Sequence, residues 1–118
     1  MQHSMKLQRK YFQRIESGQK TVEMRLHDEK RQKIKEGDVI VFSDMENSEE
    51  KLKVRVTAIS RFSTFDELYQ NIPLSKLGYN TEEEQNSASA KDMEKFYPIE
   101  QQKEYGVMGI WIKNITIH

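Results

Sequence analysis

Leu7, Tyr11, Phe12 and Ile15 recur at the spacing of one helical face, while Lys6, Arg9, Lys10, Gln13 and Arg14 fall largely off it. This pattern predicts a first helix, ended by Gly18 because glycine takes the left-handed C-terminal geometry without a steric penalty. From Lys20 the period changes to two. An extended segment over residues 20 to 27 places Lys20, Val22, Met24 and Leu26 on one side and Thr21, Glu23, Arg25 and His27 on the other. A mixed-charge loop over residues 28–33 and a turn at Glu36-Gly37-Asp38 then lead into Val39-Ile40-Val41-Phe42, an apolar run that reads as a buried strand. Residues 44–50 have the polar composition of a hairpin loop, after which Leu52, Val54, Val56 and Ala58 alternate with Lys53, Arg55 and Thr57 as in a half-buried strand.

The second half of the chain is more helical and more polar. Ser63 or Thr64 caps a short helix, Glu67 lies three residues after Thr64 as in a capping box, and Phe65, Leu68 and Tyr69 supply its apolar face. Pro73 ends it, and residues 74–79 form an irregular connection. Thr81 precedes three glutamates suited to a helix amino terminus and opens a second helix over residues 81 to 95. That stretch has almost no apolar periodicity, so it serves as a surface helix or a mobile flap. Phe96-Tyr97-Pro98 interrupts it, residues 99–104 make one helical turn, and residues 105–115 alternate as a closing strand with Trp111 on one face.

Composition narrows the class. The chain of 118 residues suits one domain spanning 1–118, with no internal repeat and no Pro/Gly/Ser linker. Hydrophobic residues make up 36% and charged residues 32%, and no apolar run approaches the roughly 20 residues of a membrane span. The first residues lack the apolar stretch of a secretory signal, and the absence of cysteine excludes disulfides and thiolate metal sites. A soluble, cytoplasmic protein without membrane association is expected, monomeric by default. His3, His27 and His118 are too scattered for a metal site, so neither metal nor cofactor is expected.

Net charge is zero, but all six arginines precede residue 63, and residues 1–62 hold 14 Lys and Arg against 10 Asp and Glu. If Arg9, Lys10, Arg14, Lys20 and Arg25 gather at one cleft, their summed field attracts a phosphate-bearing partner despite overall neutrality.

The candidate chemistry centres on Gly18-Gln19-Lys20-Thr21-Val22-Glu23-Met24-Arg25. Lys20 in a partly enclosed cleft either acts as base or nucleophile, or stays charged and binds a phosphate or carbonyl oxygen. Glu23 either holds the charge of Lys20 or Arg25 in place, or accepts hydrogen bonds from an exocyclic amine of a base. Arg25 offers a planar fork to phosphate or carbonyl oxygens. Thr21 can donate a hydroxyl, and Tyr97 and Tyr105 can offer stacking faces, whereas Trp111 suits the core. The same spacing also describes an exposed mixed-charge strand face.

The spacing G-x-K-x-x-E-x-R at residues 18–25 resembles the signature of the ASCH domain family, compact barrels related in fold to the RNA-binding PUA domains. Residues 34–42, with Gly37-Asp38 entering a strand, and residues 105–110 resemble two further landmarks of that family. The resemblance implies an α+β fold: a small PUA-like β-barrel of about five or six mostly antiparallel strands flanked by three or four short helices. It also implies a domain that binds RNA, a nucleotide or a nucleoside in a cleft made by the signature residues; with the side chains weighed above, the ligand-binding candidates are Lys20, Thr21, Glu23, Arg25, Tyr97 and Tyr105. The alternative is a hydrolase of modified nucleosides or a ribonuclease, in which Lys20 and Glu23 are catalytic. One branch of the family resembles amidohydrolases that deacetylate acetylated cytidine with a lysine, a threonine and a glutamate. Lys20 matches the lysine, but Glu23 stands where those enzymes have threonine, and Lys76 falls near the place of their glutamate.

Overall fold

The computed structural model describes residues 1–116, so His118 lies outside the described residues. Five strands form one sheet: β1 (Gln2–Leu7), β2 (Val22–Leu26), β3 (Val39–Asp44), β4 (Lys51–Phe62) and β5 (Val107–Asn114), in the order β1-β3-β4-β5-β2. The β1–β3 pairing is parallel and the other three are antiparallel. The sheet curls into a half-barrel whose first and last strands, β1 and β2, face each other across a seam. Among the described residues four helices accompany it: α1 (Arg9–Glu16), α2 (Phe65–Asn71), α3 (Glu82–Ser87) and α4 (Ile99–Tyr105), with three short 3-10 turns. The expected α+β architecture therefore holds, with five strands.

Several boundaries differ from the sequence reading. Leu7 is the last residue of β1, not the start of a helical stripe, because Met5 and Leu7 point into the core while β1 pairs with β3. The helix begins at Arg9 and buries Phe12 and Ile15. Residues 81 to 95 are not one helix. Thr81 and Glu84 form a reciprocal capping box for α3, but α3 buries no residue, and the chain turns at Ala88 before Ser89 caps a separate 3-10 turn over Ala90–Lys95, which rests Ala90 and Met93 on the outer core. A polar segment with no buried face has little beyond local caps to sustain its length. Thr64 caps α2 as expected, accepting from the Glu67 amide at 3.3 Å.

Two apolar clusters lie on opposite sides of the sheet. The inner one joins Phe12 and Ile15 of α1 to Ile40, Phe42, Leu52 and Val54 of the curled sheet. The outer one packs Val22, Met24 and Leu26 of β2 against Phe65, Leu68, Ile72 and Leu77. The central part of β5 is buried on both faces, with Met108 and Ile110 turned inward and Val107 outward. A Cβ on Gly109 would lie 2.9 Å from Ile72 Cδ1 and 3.2 Å from Val22 Cγ1, so the chain after α2 rests directly on bare backbone.

The register between β2 and β5 decides where the charges go. Glu23 sits opposite Ile110 and Arg25 opposite Met108. Directly opposite residues project to the same face of a sheet, so the acid and the guanidinium project inward, where β5 carries core methyls. The alternate residues Val22, Met24 and Leu26 fill the outer core.

Candidate functional site: a cationic cleft at the half-barrel seam

Gly18, at φ +84°, ends α1 and turns the chain back along the helix, where the Lys20 amide donates to the Arg14 carbonyl at 2.9 Å. Thr21 is then clamped by its backbone: its amide donates to the Lys76 carbonyl, and its carbonyl accepts from the Ile112 amide, both at 3.0 Å. These contacts deliver the chain into β2 and aim the Lys20 side chain inward. Its Nζ lies 2.8 Å from Glu23 Oε1 and 4.7 Å from the centroid of the Tyr11 ring. The stem passes beneath Gly78, where a Cβ would lie 3.3 Å from Lys20 Cδ. Lys20 is only 3% exposed.

Glu23, 4% exposed, has both oxygens engaged. Oε1 accepts from Lys20 and from the Met24 amide at 3.2 Å, while Oε2 accepts from Arg25 Nε at 3.0 Å and Nη2 at 2.8 Å. Burial alone pushes this carboxyl up, but the neighbouring Lys20 and Arg25 charges overcome that and hold it at about 2. Arg25 Nη2 also donates to the Lys6 carbonyl at 3.1 Å, which carries the network from β2 across the seam to β1. Burial works against the Arg25 charge, yet Glu23 and nearby Tyr97 shift its pKa above the ordinary guanidinium value. The acid is therefore not a free acceptor. The trio presents donors.

Above it opens a cleft of about 580 Å³. Six cationic side chains line it, Lys6, Lys10, Arg14, Lys20, Arg25 and Lys95, against three carboxylates, Glu23, Glu84 and Asp92. Glu23 is spent on the trio, and Glu84 binds Arg14 at 2.7 Å and stays ionised below its usual range for that reason. Tyr11, Tyr79, Phe96 and Tyr97 add aromatic surface. Met45 and Phe96, 62% and 54% exposed, are two of the large apolar side chains left open to solvent, and both belong to this cleft.

Lys20, Glu23, Arg25 and Tyr97 are thus brought together. Thr21 and Tyr105 are not: neither lines the cleft, Thr21 being held at β5 and Tyr105 packing against the outer cluster at the end of α4. Trp111 also joins the outer cluster, donating from Nε1 to Ser60 Oγ at 2.9 Å with Lys76 Nζ 5.5 Å from its ring centroid.

Four contributors escaped the sequence reading. Tyr11 falls in the apolar stripe of α1, and Tyr79 lies in a stretch without periodicity; its phenol hydrogen-bonds that of Tyr69 at 2.7 Å. Phe96 stands next to Pro98, in what reads as a break between elements. Gln102, 1% exposed, accepts from the Phe65 amide at 3.0 Å and donates to the Tyr97 carbonyl at 2.8 Å, fixing the loop that carries Tyr97. Its neighbours in sequence gave no sign of burial.

Among the described residues no group of three or more His, Cys, Asp or Glu is placed to hold a metal ion, and no helix is long and apolar enough to cross a membrane. His3 instead lies 2.8 Å from Asp38.

No curated protein matches the chain significantly. Among solved structures, the crystal structure of hypothetical protein PH0355 superposes with a TM-score of 0.82 at 35% identity, over 98% of this chain and 100% of that one. The solution NMR structure of protein PF0455 from Pyrococcus furiosus does so with a TM-score of 0.72, also at 35% identity, over 99% of this chain and 100% of that one. Residues 5–108 match the ASCH domain, and the chain belongs to the ASCH domain family.

Proposed function

We propose that the seam cleft binds RNA or a nucleotide, with Lys20 and Arg25 meeting phosphate or carbonyl oxygens and the aromatic and thioether rim taking a base. The observation that carries this reading is the pairing of a donor-only cationic floor with an open apolar rim in one concavity. Phosphate supplies acceptors and negative charge, and a base supplies a flat face, so one nucleotide satisfies both halves. Glu23 acts here as a buried strut that holds the two cations at fixed positions, not as a reader of base edges, because its oxygens are already occupied.

The experiment is fluorescence anisotropy with short single-stranded RNA across a range of salt concentrations, on the parent protein and on Lys95→Ala and Phe96→Ala. Both positions are exposed, so folding is preserved. Lys95→Ala is expected to weaken binding and lower the salt slope by about 0.7. Phe96→Ala is expected to cost about 1–3 kcal/mol of binding with the salt slope unchanged. Absence of saturable binding at low salt, or indifference to both substitutions, overturns the reading. Turnover of acetylated cytidine or of RNA that Lys20→Ala abolishes would replace it with the hydrolase.

A further inference from the structure

A second concavity, of about 550 Å³, lies beside the cleft. Its cations are Arg9, Lys10 and Arg14, its uncharged polar residues are Gln13, Ser17 and Gln19, and Glu46 is its one carboxylate. Among the described residues, no aromatic or aliphatic one lines it. Lys10 and Arg14 line both concavities, so α1 forms a ridge with a cleft on one side and a groove on the other. Arg9 is held in place by Asp44 at 2.9 Å and Glu46 at 3.5 Å, while Lys10 is exposed on the ridge with its Nζ 6.0 Å from the Tyr11 centroid.

The two concavities differ in chemistry in the way that the parts of one polymer differ. The cleft has ring faces and suits a base; the groove has hydrogen-bonding groups and three cations against one carboxylate, itself turned to Arg9, and suits a sugar-phosphate chain. We infer that the ligand is an oligonucleotide single strand which seats one base in the cleft and carries its backbone over α1 into the groove. This rests on the nucleotide-binding reading of the cleft and extends it: crossing a helix about 10–12 Å in diameter takes more chain than one nucleotide provides. A bilayer surface fits the groove poorly, because among the described residues no apolar side chain is available there for insertion.

The test is a length series of labelled RNA, from a mononucleotide to roughly eight nucleotides, titrated against the parent protein and the double variant Gln13→Glu/Gln19→Glu. Both glutamines are exposed and belong to the groove alone, and an unchanged unfolding midpoint verifies the fold. Affinity is expected to rise with length and then level off, and the double variant is expected to weaken the longest strand by about tenfold at low salt and the mononucleotide much less, since added charge beside the cleft acts on it only at a distance. A mononucleotide that binds as tightly as the longest strand, or a double variant that binds the longest strand normally, overturns the extended path. In that case continued sensitivity to Lys95→Ala and Phe96→Ala shows the cleft reading intact. If no RNA of any length binds, both readings fall together.

Discussion

The guanidinium of Arg25 donates across the half-barrel seam to the carbonyl of Lys6, 3.1 Å away, while the same group forks onto Glu23. β1 and β2 are the two ends of the sheet and share no ladder, so this side chain supplies a hydrogen bond between them where backbone pairing does not.

Replacing it removes that bridge and strips Glu23 of one of its two cations. Arg25→Met should lower stability by about 3–5 kcal/mol, the loss typical of breaking a buried ion pair from one side. Arg25→Lys keeps the charge but not the fork, and should recover only part of the loss. Urea denaturation of the three proteins measures both effects.

Glu23 makes stability depend on acid. Its carboxyl is held at about 2 in the folded protein, against an ordinary value of 4.5, so the unfolded chain takes up the proton first as pH falls. The contribution is therefore complete above pH 4.5 and is lost progressively between 4.5 and 2. Asp38 is also depressed to about 2 and titrates in the same window, so the parent curve alone does not isolate Glu23. The stability gap between the parent and Glu23→Gln does, since Asp38 is common to both. That gap should be widest near neutrality and shrink between pH 4.5 and 2; a gap independent of pH would exclude the ionised trio.

Gly78 roofs the Lys20 stem at φ +102°. Gly78→Ala places a side chain in left-handed backbone, at a cost of about 1–2 kcal/mol, and sets a methyl against Lys20 Cδ. Thermal or urea unfolding should register the loss. On the nucleotide-binding reading, RNA affinity should fall as well, because the ammonium is displaced from its place between Glu23 and Tyr11.

Gln102 joins the first turn of α2 to the Tyr97 loop from a position closed to water. Gln102→Met conserves volume but leaves the Phe65 amide and the Tyr97 carbonyl without that partner, and should cost about 2 kcal/mol or more. Hydrogen exchange checks the mechanism directly: the Phe65 amide should lose protection.

Much of this organisation is legible in the sequence because it rests on local periodicity. The alternation in Leu52, Val54 and Val56, the Thr64 cap and the Gly18 stop each reflect forces acting within a few residues, and each appears in the structure where that pattern puts it. The charged cluster was legible too, since Glu23 and Arg25 share a strand face by simple alternation. β1 was not. Leu7 lies four residues before Tyr11 and so completes a helical stripe on paper, while the parallel partner that makes it a strand is more than thirty residues away. The aromatic wall of the cleft was hidden for a related reason: Tyr11, Tyr79 and Phe96 come from three separate segments, and only tertiary folding makes them neighbours. Lys20 precedes β2, so the alternation rule did not govern it; the turn after Gly18 did.

The seam has a consequence for how the protein can change over evolutionary time. One guanidinium both latches the two ends of the sheet and furnishes the floor that meets the proposed ligand, so any guest that competes for its Nη2 hydrogens also loosens the latch. On the nucleotide-binding reading, recognition and closure are thereby mechanically joined, and altered selectivity is more easily reached through the rim, at Met45, Lys95 or Phe96, than through the base of the cleft.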